Sequence, residues 1–424
     1  MSAVTGHTHT DTDRAGIVRA DVGHTDVESK DVVGSPPVAQ PAYDIAAWRR
    51  RIPLLKSLVL MNNCSQAPQL DVTREAAEAY LDSWNNAGMD WDAWMAETYR
   101  AKVEFARLIN ASPDDIAVSS SVSEATASLA SSLDFSGERR KVVTTEAEFP
   151  SVAHVWQAHA KYGLEVDWVP VRDDIVYLED YDDVIDERTL LVSACHAYYQ
   201  NGYVQDVAAI ARKAHDEGAL LYVDAYQSLG VAEVDVQAMD IDFLASGNLK
   251  FLLGVPGIAF LYVRPGLVER LEPAVTGWFG RADPFSFDAR RLDWAPTAAR
   301  FDTGTPPVIN AYISRAGMAA INEIGVDAIA AWTGQLTRRL VEGGRARGFQ
   351  LHGIDDPRRK TPSTAFVCPE GESHRVEALL LKRGILAAAR GPVIRLAPHF
   401  YNTLDDLDVA LDALKAVFEE DLSA

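Results

Sequence analysis

The feature of this sequence that most limits its fold is a series of short apolar runs separated by amphipathic stretches. Seven runs fit this description: residues 116–120, 141–145, 166–170, 189–194, 219–225, 242–246 and 258–263. Runs this short, without strict alternation of polar and apolar residues, are typical of strands buried on both faces of a mostly parallel sheet. The series therefore predicts a sheet in the middle of the protein.

One intervening stretch indicates how the strands are connected. Residues 206–218 read DVAAIARKAHDEG, in which Asp206 can cap a helix and Gly218 can end it. The apolar side chains of this helix share one face: Val207, Ile210, Ala211 and Ala214. Strand, helix and strand in succession predict an α/β domain built from βαβ units.

The pattern changes after about residue 300. A long helical stretch, interrupted at Gly325, is followed by the strand-like STAFVC, two more helices and a strand in VIRLAP. We expect four segments: a disordered tail at 1–42, an N-terminal segment at 43–70, a large domain at 71–305 and a smaller α+β domain at 306–424.

The first 42 residues contain no Phe, Trp or Tyr. Because a segment without large apolar side chains cannot offset the entropy of ordering, we expect a mobile tail. Its histidines, His7, His9 and His24, could bind a metal, but a solvated tail is the simpler interpretation. No metal site is predicted.

Composition argues against several classes of function. The chain has 40 basic and 61 acidic residues, a formal net charge of −21, which disfavours a nucleic-acid partner. No apolar run reaches the ~18 residues of a membrane span, and the N-terminus lacks a basic-then-apolar leader. Three widely spaced cysteines fit a reducing compartment, so we expect a cytoplasmic protein.

Four common catalytic signatures are absent from the sequence, namely GxGxxG, GxxxxGK[ST], HExxH and GxSxG. Dinucleotide, P-loop, zincin and serine-hydrolase chemistry are therefore disfavoured.

Lys250 is the most suggestive reactive residue. It lies in ASGNLKFLLGVPGIAFLYV, and the nearest charged residues in sequence are Asp242 and Arg264. Apolar surroundings lower the pKa of an amine, as an imine-forming lysine requires. The alternative is a lysine that extends from the edge of a core strand into water.

Asp224 ends the run ALLYVDA upstream of this lysine. Ligand sites form at the carboxyl ends of parallel strands, and a buried carboxylate there needs a cationic partner. A protonated pyridine nitrogen would serve, with the Gln227 amide reaching a ring hydroxyl. A helix cap or turn residue is an equally good explanation of Asp224 alone.

The stretch VSSSVSEATASLA runs from a strand through a serine-rich turn into a helix. Backbone N–H groups and hydroxyls at a helix N-terminus suit a phosphate, and we place Ser123 on it, with Glu124 opening the helix. A plain serine cap explains the same residues.

The order of these pieces resembles the class V aminotransferase family of fold-type I pyridoxal-phosphate (PLP) enzymes. That family includes cysteine desulfurases, kynureninase, isopenicillin N epimerase and ergothioneine C–S lyases. The resemblance covers residues 61–408. YVDAYQSLG resembles the segment with the pyridine-nitrogen aspartate and ring-hydroxyl glutamine, which implies these roles for Asp224 and Gln227. SGNLKFLLGVPG resembles the Schiff-base lysine motif, which implies that role for Lys250.

Further motifs carry further implied roles. SSSVSEA is similar to the phosphate-binding turn, which places Ser123, with Val122, on the cofactor. RFDTGTPP is similar to the loop whose threonine, here Thr305, reaches the phosphate in the neighbouring subunit, which implies a homodimer with shared sites. VIRLAPHFYNT matches the motif whose arginine, here Arg395, binds the substrate carboxylate, and MNNCSQAP adds Asn63 to the substrate-binding set.

Several positions depart from the family pattern. In EAEFPS, Phe149 replaces the histidine that stacks on the ring in many desulfurases, and Tyr199 stands where they carry an asparagine. The family's SGHK becomes SGNLK, so Ser246 and Asn248 are both candidates for the phosphate. No cysteine lies between residues 384 and 395, where desulfurases place their persulfide-forming cysteine, and Cys368 ends a buried-looking strand.

Two other features remain open. In GWFGRADPFSFD, Trp278 and Phe279 either line the substrate entrance or anchor an interface. His399 is interpreted as structural rather than as a proton shuttle.

We expect, in order, a lyase that cleaves a C–S or C–C bond without a persulfide cysteine, an aminotransferase, and an epimerase or other carbanion enzyme. A silent PLP-fold scaffold is the non-enzymatic alternative. The retention of Lys250, Asp224, Gln227 and Arg395 together disfavours the scaffold.

Overall fold

A computed structural model describes residues 40–422 of the chain, without the side chain of residue 421. The α-helices are α1 Ile45–Arg50, α2 Asp71–Ala87, α3 Trp91–Leu108, α4 Val122–Ala130, α5 Pro150–Ala158, α6 Val207–Asp216, α7 Val308–Ile324, α8 Val326–Ala346, α9 Ser373–Lys382 and α10 Leu404–Ala416. The strands are β1 Val59–Leu60, β2 Ile116–Ser119, β3 Lys141–Thr145, β4 Glu165–Val169, β5 Thr189–Cys195, β6 Leu220–Asp224, β7 Phe243–Gly247, β8 Ala259–Val263, β9 Leu351–His352, β10 Thr364–Val367, β11 Ile385–Leu386, β12 Ala388–Arg390 and β13 Val393–Leu396.

The seven predicted runs all form strands of one sheet, with the order β2-β8-β7-β6-β5-β3-β4. Strand β8 is antiparallel to both of its neighbours, and the remaining pairs are parallel. The prediction of a mostly parallel, mixed sheet in an α/β fold is confirmed.

Strand β4 corrects the expectation that every run is buried on both faces. It lies at the edge of the sheet, and Asp167 and Trp168 in its middle are exposed. An edge strand has a neighbour on one side only, which permits contact with water but does not require it, because β2 at the opposite edge is buried throughout.

The predicted helix signals lie where the sequence placed them. The Asp206 carboxylate accepts a hydrogen bond from the Ala209 N–H at 2.9 Å and caps α6. Gly218 follows that helix with φ of 74°. Gly325 adopts φ of 91° between α7 and α8, a conformation that favours glycine.

A second sheet is antiparallel, in the order β12-β13-β10-β9. One of its faces, which includes Ile394 and Leu396, packs in a hydrophobic cluster with residues of α8, α9 and α10. The register pairs Arg395 with Ala388, so these two side chains share the opposite face.

The N-terminal segment is tied to this part of the chain. Strand β1 pairs in parallel with β11, and the Tyr43 hydroxyl donates to the Phe400 carbonyl at 2.9 Å. The described residues, 40–422, belong to one compact unit. The division at 305/306 therefore stays a prediction, while most of the predicted tail and its three histidines lie outside the described residues.

Candidate active site

A cavity of about 310 Å³, the main cavity, opens at the carboxyl ends of the central strands. It is lined by eight of the residues predicted from the sequence: Val122, Ser123, Phe149, Tyr199, Asp224, Gln227, Lys250 and Arg395. It is also lined by residues that the sequence analysis did not single out for the site, among them Cys64, Ser65, Tyr226 and Arg390.

The sheet topology explains why distant residues meet here. Asp224 is the last residue of β6, and it pairs with Cys195 at the end of β5. Lys250 follows β7, and the turn before α4 follows β2. Because β2, β5, β6 and β7 run in the same direction, their carboxyl ends share one edge of the sheet, where α/β proteins bind ligands.

The Lys250 amine lies between aromatic rings, with Nζ 4.2 Å from the Tyr226 ring centroid and 5.5 Å from that of Phe149. The side chain as a whole is half-buried, but desolvation of its charged end lowers the pKa of Lys250 to about 8. The charge of Asp224 opposes this shift, and that of Arg395 reinforces it. A substantial fraction of the amine is therefore neutral near physiological pH.

Asp224 is buried and accepts a hydrogen bond from the Tyr226 N–H at 2.8 Å. Burial raises the pKa of Asp224, whereas that hydrogen bond and the nearby Lys250 charge lower it. Glu148 lies behind it, and burial together with the charge of Asp224 raises the pKa of Glu148 well above its usual value. Because Glu148 favours its neutral form, negative charge at this end of the cavity concentrates on Asp224.

The serine-rich turn forms another wall. Helix α4 begins at Val122, two residues before the predicted opening at Glu124, because Ser121 is the capping residue and accepts from the Glu124 N–H at 3.1 Å. Ser123 lies in the first turn of the helix and lines the cavity. Glu124 instead accepts hydrogen bonds from the Ser120 N–H and the Thr303 hydroxyl.

Arg395 lies on β13 and is 1% exposed. Its guanidinium donates to the Tyr199 carbonyl at 2.5 Å and to the Ser65 hydroxyl at 2.8 Å. Its Nε has no partner among the described residues. The Tyr199 ring meets the Phe149 ring edge to face, with centroids 5.2 Å apart. A buried cation held only by neutral groups is suited to binding an anion.

Three predicted residues lie behind the cavity wall rather than on it. The Ser246 hydroxyl donates to the Gly247 carbonyl. Asn248 is fully buried, and neither polar atom of its side chain has a partner among the described residues. The Asn63 amide donates to the Ala397 carbonyl and accepts from the Tyr401 hydroxyl, so its hydrogen bonds join two distant chain segments. Its neighbours Cys64 and Ser65 line the cavity instead.

Two further predicted residues lie elsewhere. Thr305 lines a second cavity of about 560 Å³, the Thr305 cavity, whose wall also contains Phe279 and Phe285. Trp278 lines neither cavity, and its ring stacks on those of Trp91 and Phe287. Trp278 therefore belongs to an aromatic cluster in this chain, and its place at a substrate entrance stays a prediction.

His399 fits the structural interpretation. It is fully buried, its Nε2 bonds to the Phe251 carbonyl at 2.9 Å, and its Nδ1 accepts from the Phe400 N–H at 2.8 Å. Burial lowers the pKa of His399 to about 4, so the ring is neutral at physiological pH.

The fold defines the class of protein. It matches the apo structure of a cysteine desulfurase from Thermococcus onnurineus NA1 with a TM-score of 0.81, over 90% of this chain and 99% of that one, at 24% identity. The fold is that of the fold-type I PLP-dependent enzymes.

The family follows from sequence comparison. The family profile described as Aminotransferase class-V matches residues 60–398, and the chain belongs to this family. It is 39% identical to the uncharacterized aminotransferase YcbU of Bacillus subtilis (strain 168), over 87% of this chain and 97% of that protein. It is 29% identical to a kynureninase of Deinococcus radiodurans, over 82% and 85%. The chain is thus a PLP-dependent enzyme.

The residues of the main cavity fit this cofactor. Asp224 is buried, lines the cavity and has no ion-pair partner among the described residues, so its carboxylate would be available to a protonated pyridine nitrogen. The buried Gln227 Oε1 is without a partner there, and its Nε2 donates to the Cys64 carbonyl at 3.1 Å. These unsatisfied groups, together with the Lys250 amine, are the set that pyridoxal phosphate would satisfy.

No described helix is long and apolar enough to cross a membrane.

Proposed function

We propose that this enzyme is a lyase that cleaves a Cβ–S or Cβ–C bond of an amino acid, without a persulfide-forming cysteine. The observation that carries the proposal is the placement of the Lys250 amine, the Asp224 carboxylate and the Arg395 guanidinium on one small cavity. When bound, the cofactor supplies an electron sink for the bonds at Cα of the substrate.

Substrate binding, proton transfer and stabilisation of the cofactor's charge depend on side chains of this chain. Arg395 binds the substrate carboxylate and so fixes which Cα bond is oriented for cleavage. Lys250, with its lowered pKa, removes the Cα proton and can return it to the product. Asp224 would hold the pyridine nitrogen of the bound cofactor in its charged form. For a Cβ–S substrate, the electron pair left at Cα would expel the thiolate from Cβ, and water would hydrolyse the resulting enamine to a keto acid and ammonia. For a Cβ–C substrate, water would add to a carbonyl at Cγ, and cleavage would give a carboxylic acid and a shortened amino acid.

The choice of a lyase rests on the KFLLGVPG segment and the short loop before Arg395, which resemble those of kynureninases and C–S lyases. The lack of a cysteine in that loop argues against a persulfide relay. Cys64 does line the main cavity, but it belongs to another segment. If sulfur passed through a cysteine, Cys64 would be the candidate, so persulfide formation on Cys64 during turnover would favour a desulfurase.

Transamination is the second candidate, and the name of the relative at 39% identity favours it. The two reactions differ in their need for an acceptor. A lyase that eliminates a sulfur group from Cβ releases a keto acid and ammonia over many turnovers, and one that cleaves a Cβ–C bond by hydrolysis releases a shortened amino acid; neither needs a second substrate. An aminotransferase stops after one turnover per site until a keto acid is added. Release of keto acid, ammonia and shortened amino acid from a panel of amino acids, with and without pyruvate or 2-oxoglutarate, separates the two reactions.

We also propose a cytoplasmic homodimer. The three cysteines are free and buried, which suits a reducing compartment.

The homodimer is proposed from the position of Thr305. Thr305 lies away from the main cavity, beside the aromatic cluster with its exposed Phe285 and Phe287. A second subunit covering this surface would let Thr305 reach the partner's cofactor phosphate. Thr305→Ala should then weaken cofactor retention without changing the oligomeric mass.

A further inference from the structure

The main cavity carries more positive charge on its wall than an α-carboxylate needs. Its described lining residues include three cations, Lys250, Arg390 and Arg395, and one carboxylate, Asp224. Asp224 is the residue that would face the pyridine nitrogen, and Arg395 the residue that would hold the α-carboxylate. Arg390 is left with no assigned role.

The Arg390 guanidinium has no hydrogen bond or ion pair to any residue in the described range 40–422. The side chain is exposed yet lines the cavity, so it lies at the opening. Its charge contributes, with that of Arg395, to the lowered pKa of Lys250, which places it within electrostatic range of the reacting centre.

The hairpin of β12 and β13 sets the spacing of the two arginines. Ala388 pairs with Arg395, and Arg390 pairs with Val393. Paired residues of an antiparallel ladder share a face, as do residues two apart on one strand. Arg390 and Arg395 are therefore on the same face as diagonal neighbours, with Cα atoms about 7–8 Å apart. Both guanidinium groups can contact one small molecule.

The other face of this hairpin is fixed by packing. Ala389 and Ile394 belong to the hydrophobic cluster formed with α8, α9 and α10. The hairpin cannot rotate its arginines out of the cavity without exposing that cluster, so the pair is preorganised for an anionic ligand.

We infer that Arg390 binds the side chain of the substrate, and that the substrate is an amino acid whose side chain ends in an anionic group. This inference rests on the proposed function, since it assumes that Arg395 binds the α-carboxylate. Apolar lining residues such as Val152 reduce the local dielectric around the buried Arg395 and strengthen its ion pair, whereas the pair at the exposed Arg390 is weaker. A neutral side chain would leave the Arg390 charge facing the cavity without a counter-charge.

The test uses pairs of amino acids that differ in charge and hardly in shape. PLP-loaded protein is titrated with L-aspartate against L-asparagine and with L-glutamate against L-glutamine, and the change in the visible absorption band gives each Kd. We expect one acid to bind at least about tenfold more tightly than its amide, since a hydrogen bond to a charged group is worth somewhat over a factor of ten.

Variants assign the preference to Arg390. Arg390→Gln should remove the preference, and Arg390→Lys should keep part of it, because lysine retains the charge without the planar fork. The matched control is Arg212→Gln, which changes an exposed arginine of α6 that does not line the cavity. It should leave all four Kd values unchanged.

The outcomes are distinguishable. Equal affinities for acid and amide, or no acid bound at all, would overturn the inference alone. Weaker PLP retention in Arg390→Gln with an unchanged acid preference would also overturn it, because Arg390 would then serve the cofactor phosphate. A protein that forms no visible band with PLP would overturn the proposed function itself.

Discussion

The two ends of the main cavity are formed by different kinds of secondary structure. At the Asp224 end, groups come from the ends of parallel strands, and the main-chain N–H of Tyr226 holds the carboxylate in place. At the Arg395 end, the groups come from an antiparallel hairpin packed against separate helices. The first end creates a reactive amine, and the second leaves positive charge available to a ligand. Reactivity and substrate choice can therefore vary separately.

Loss of the reactive end should have the largest effect. Lys250→Ala should reduce kcat by at least about 10³-fold, because it removes the general base as well as the amine that holds the cofactor. Steady-state rates and the visible spectrum measure this. The matched control, Lys382→Ala on the exposed face of α9, should behave as wild type. Wild-type turnover by Lys250→Ala would contradict the assignment of the base.

Replacing Arg395, at the binding end of the cavity, should reduce activity less than replacing Lys250 and should leave cofactor binding intact. Arg395→Gln should lower kcat/KM by roughly 10- to 100-fold while the absorption band of bound PLP remains, because a charge-assisted contact to substrate is lost. Arg395→Lys should recover part of this. If Arg395→Gln lost the cofactor band instead, the separation of the two ends would be wrong.

The pH dependence of cofactor binding tests how the ends act on Lys250. The rate at which apoprotein forms the visible band with added PLP should rise with pH, with a midpoint at about 8, because only the neutral amine is nucleophilic. Asp224 raises the pKa of Lys250 and Arg395 lowers it. Asp224→Asn should therefore shift the midpoint to lower pH and Arg395→Gln to higher pH. Shifts in the same direction would show that the two charges do not act directly on the amine.

The smallest expected effect is on stability. Arg395→Met should raise the free energy of unfolding of the apoprotein by about 1 kcal/mol, because a buried cation without a counter-ion gives way to an apolar side chain. Arg390→Met should change it by less than about 0.5 kcal/mol, because Arg390 is exposed. Urea unfolding of both variants measures the difference. Destabilisation by Arg395→Met would mean that its bonds to Tyr199 and Ser65 outweigh the cost of burial.

Much of the fold was predictable because it depends on local pattern. The seven apolar runs, the Asp206 cap and the break at Gly325 follow from residue types and their spacing, and the structure has them within one residue. The edge position of β4 was not predictable, because its sequence resembles that of the interior strands and only the sheet order exposes it.

Residues of the candidate active site could be predicted from the sequence where they lie in contiguous motifs. Asp224, Gln227, Lys250 and Arg395 lie in segments whose residues identify them, and all four line the main cavity. Trp278 and Asn63 come from segments that resemble the family less specifically, and the structure puts their side chains in an aromatic cluster and in a hydrogen bond to Ala397. Their side-chain directions depend on packing that the local sequence does not encode.

The sequence by itself determined the class of fold, the family and the cofactor, because these depend on periodicity and on short motifs. Only the tertiary structure decided which further residues share the cavity with the predicted ones. Ser65 and Arg395 are 330 residues apart and meet through a 2.8 Å hydrogen bond. The register of the β12–β13 hairpin puts Arg390 on the same face as Arg395. Contacts between such distant residues are set by how the sheets and helices pack, which residue types and local spacing do not specify.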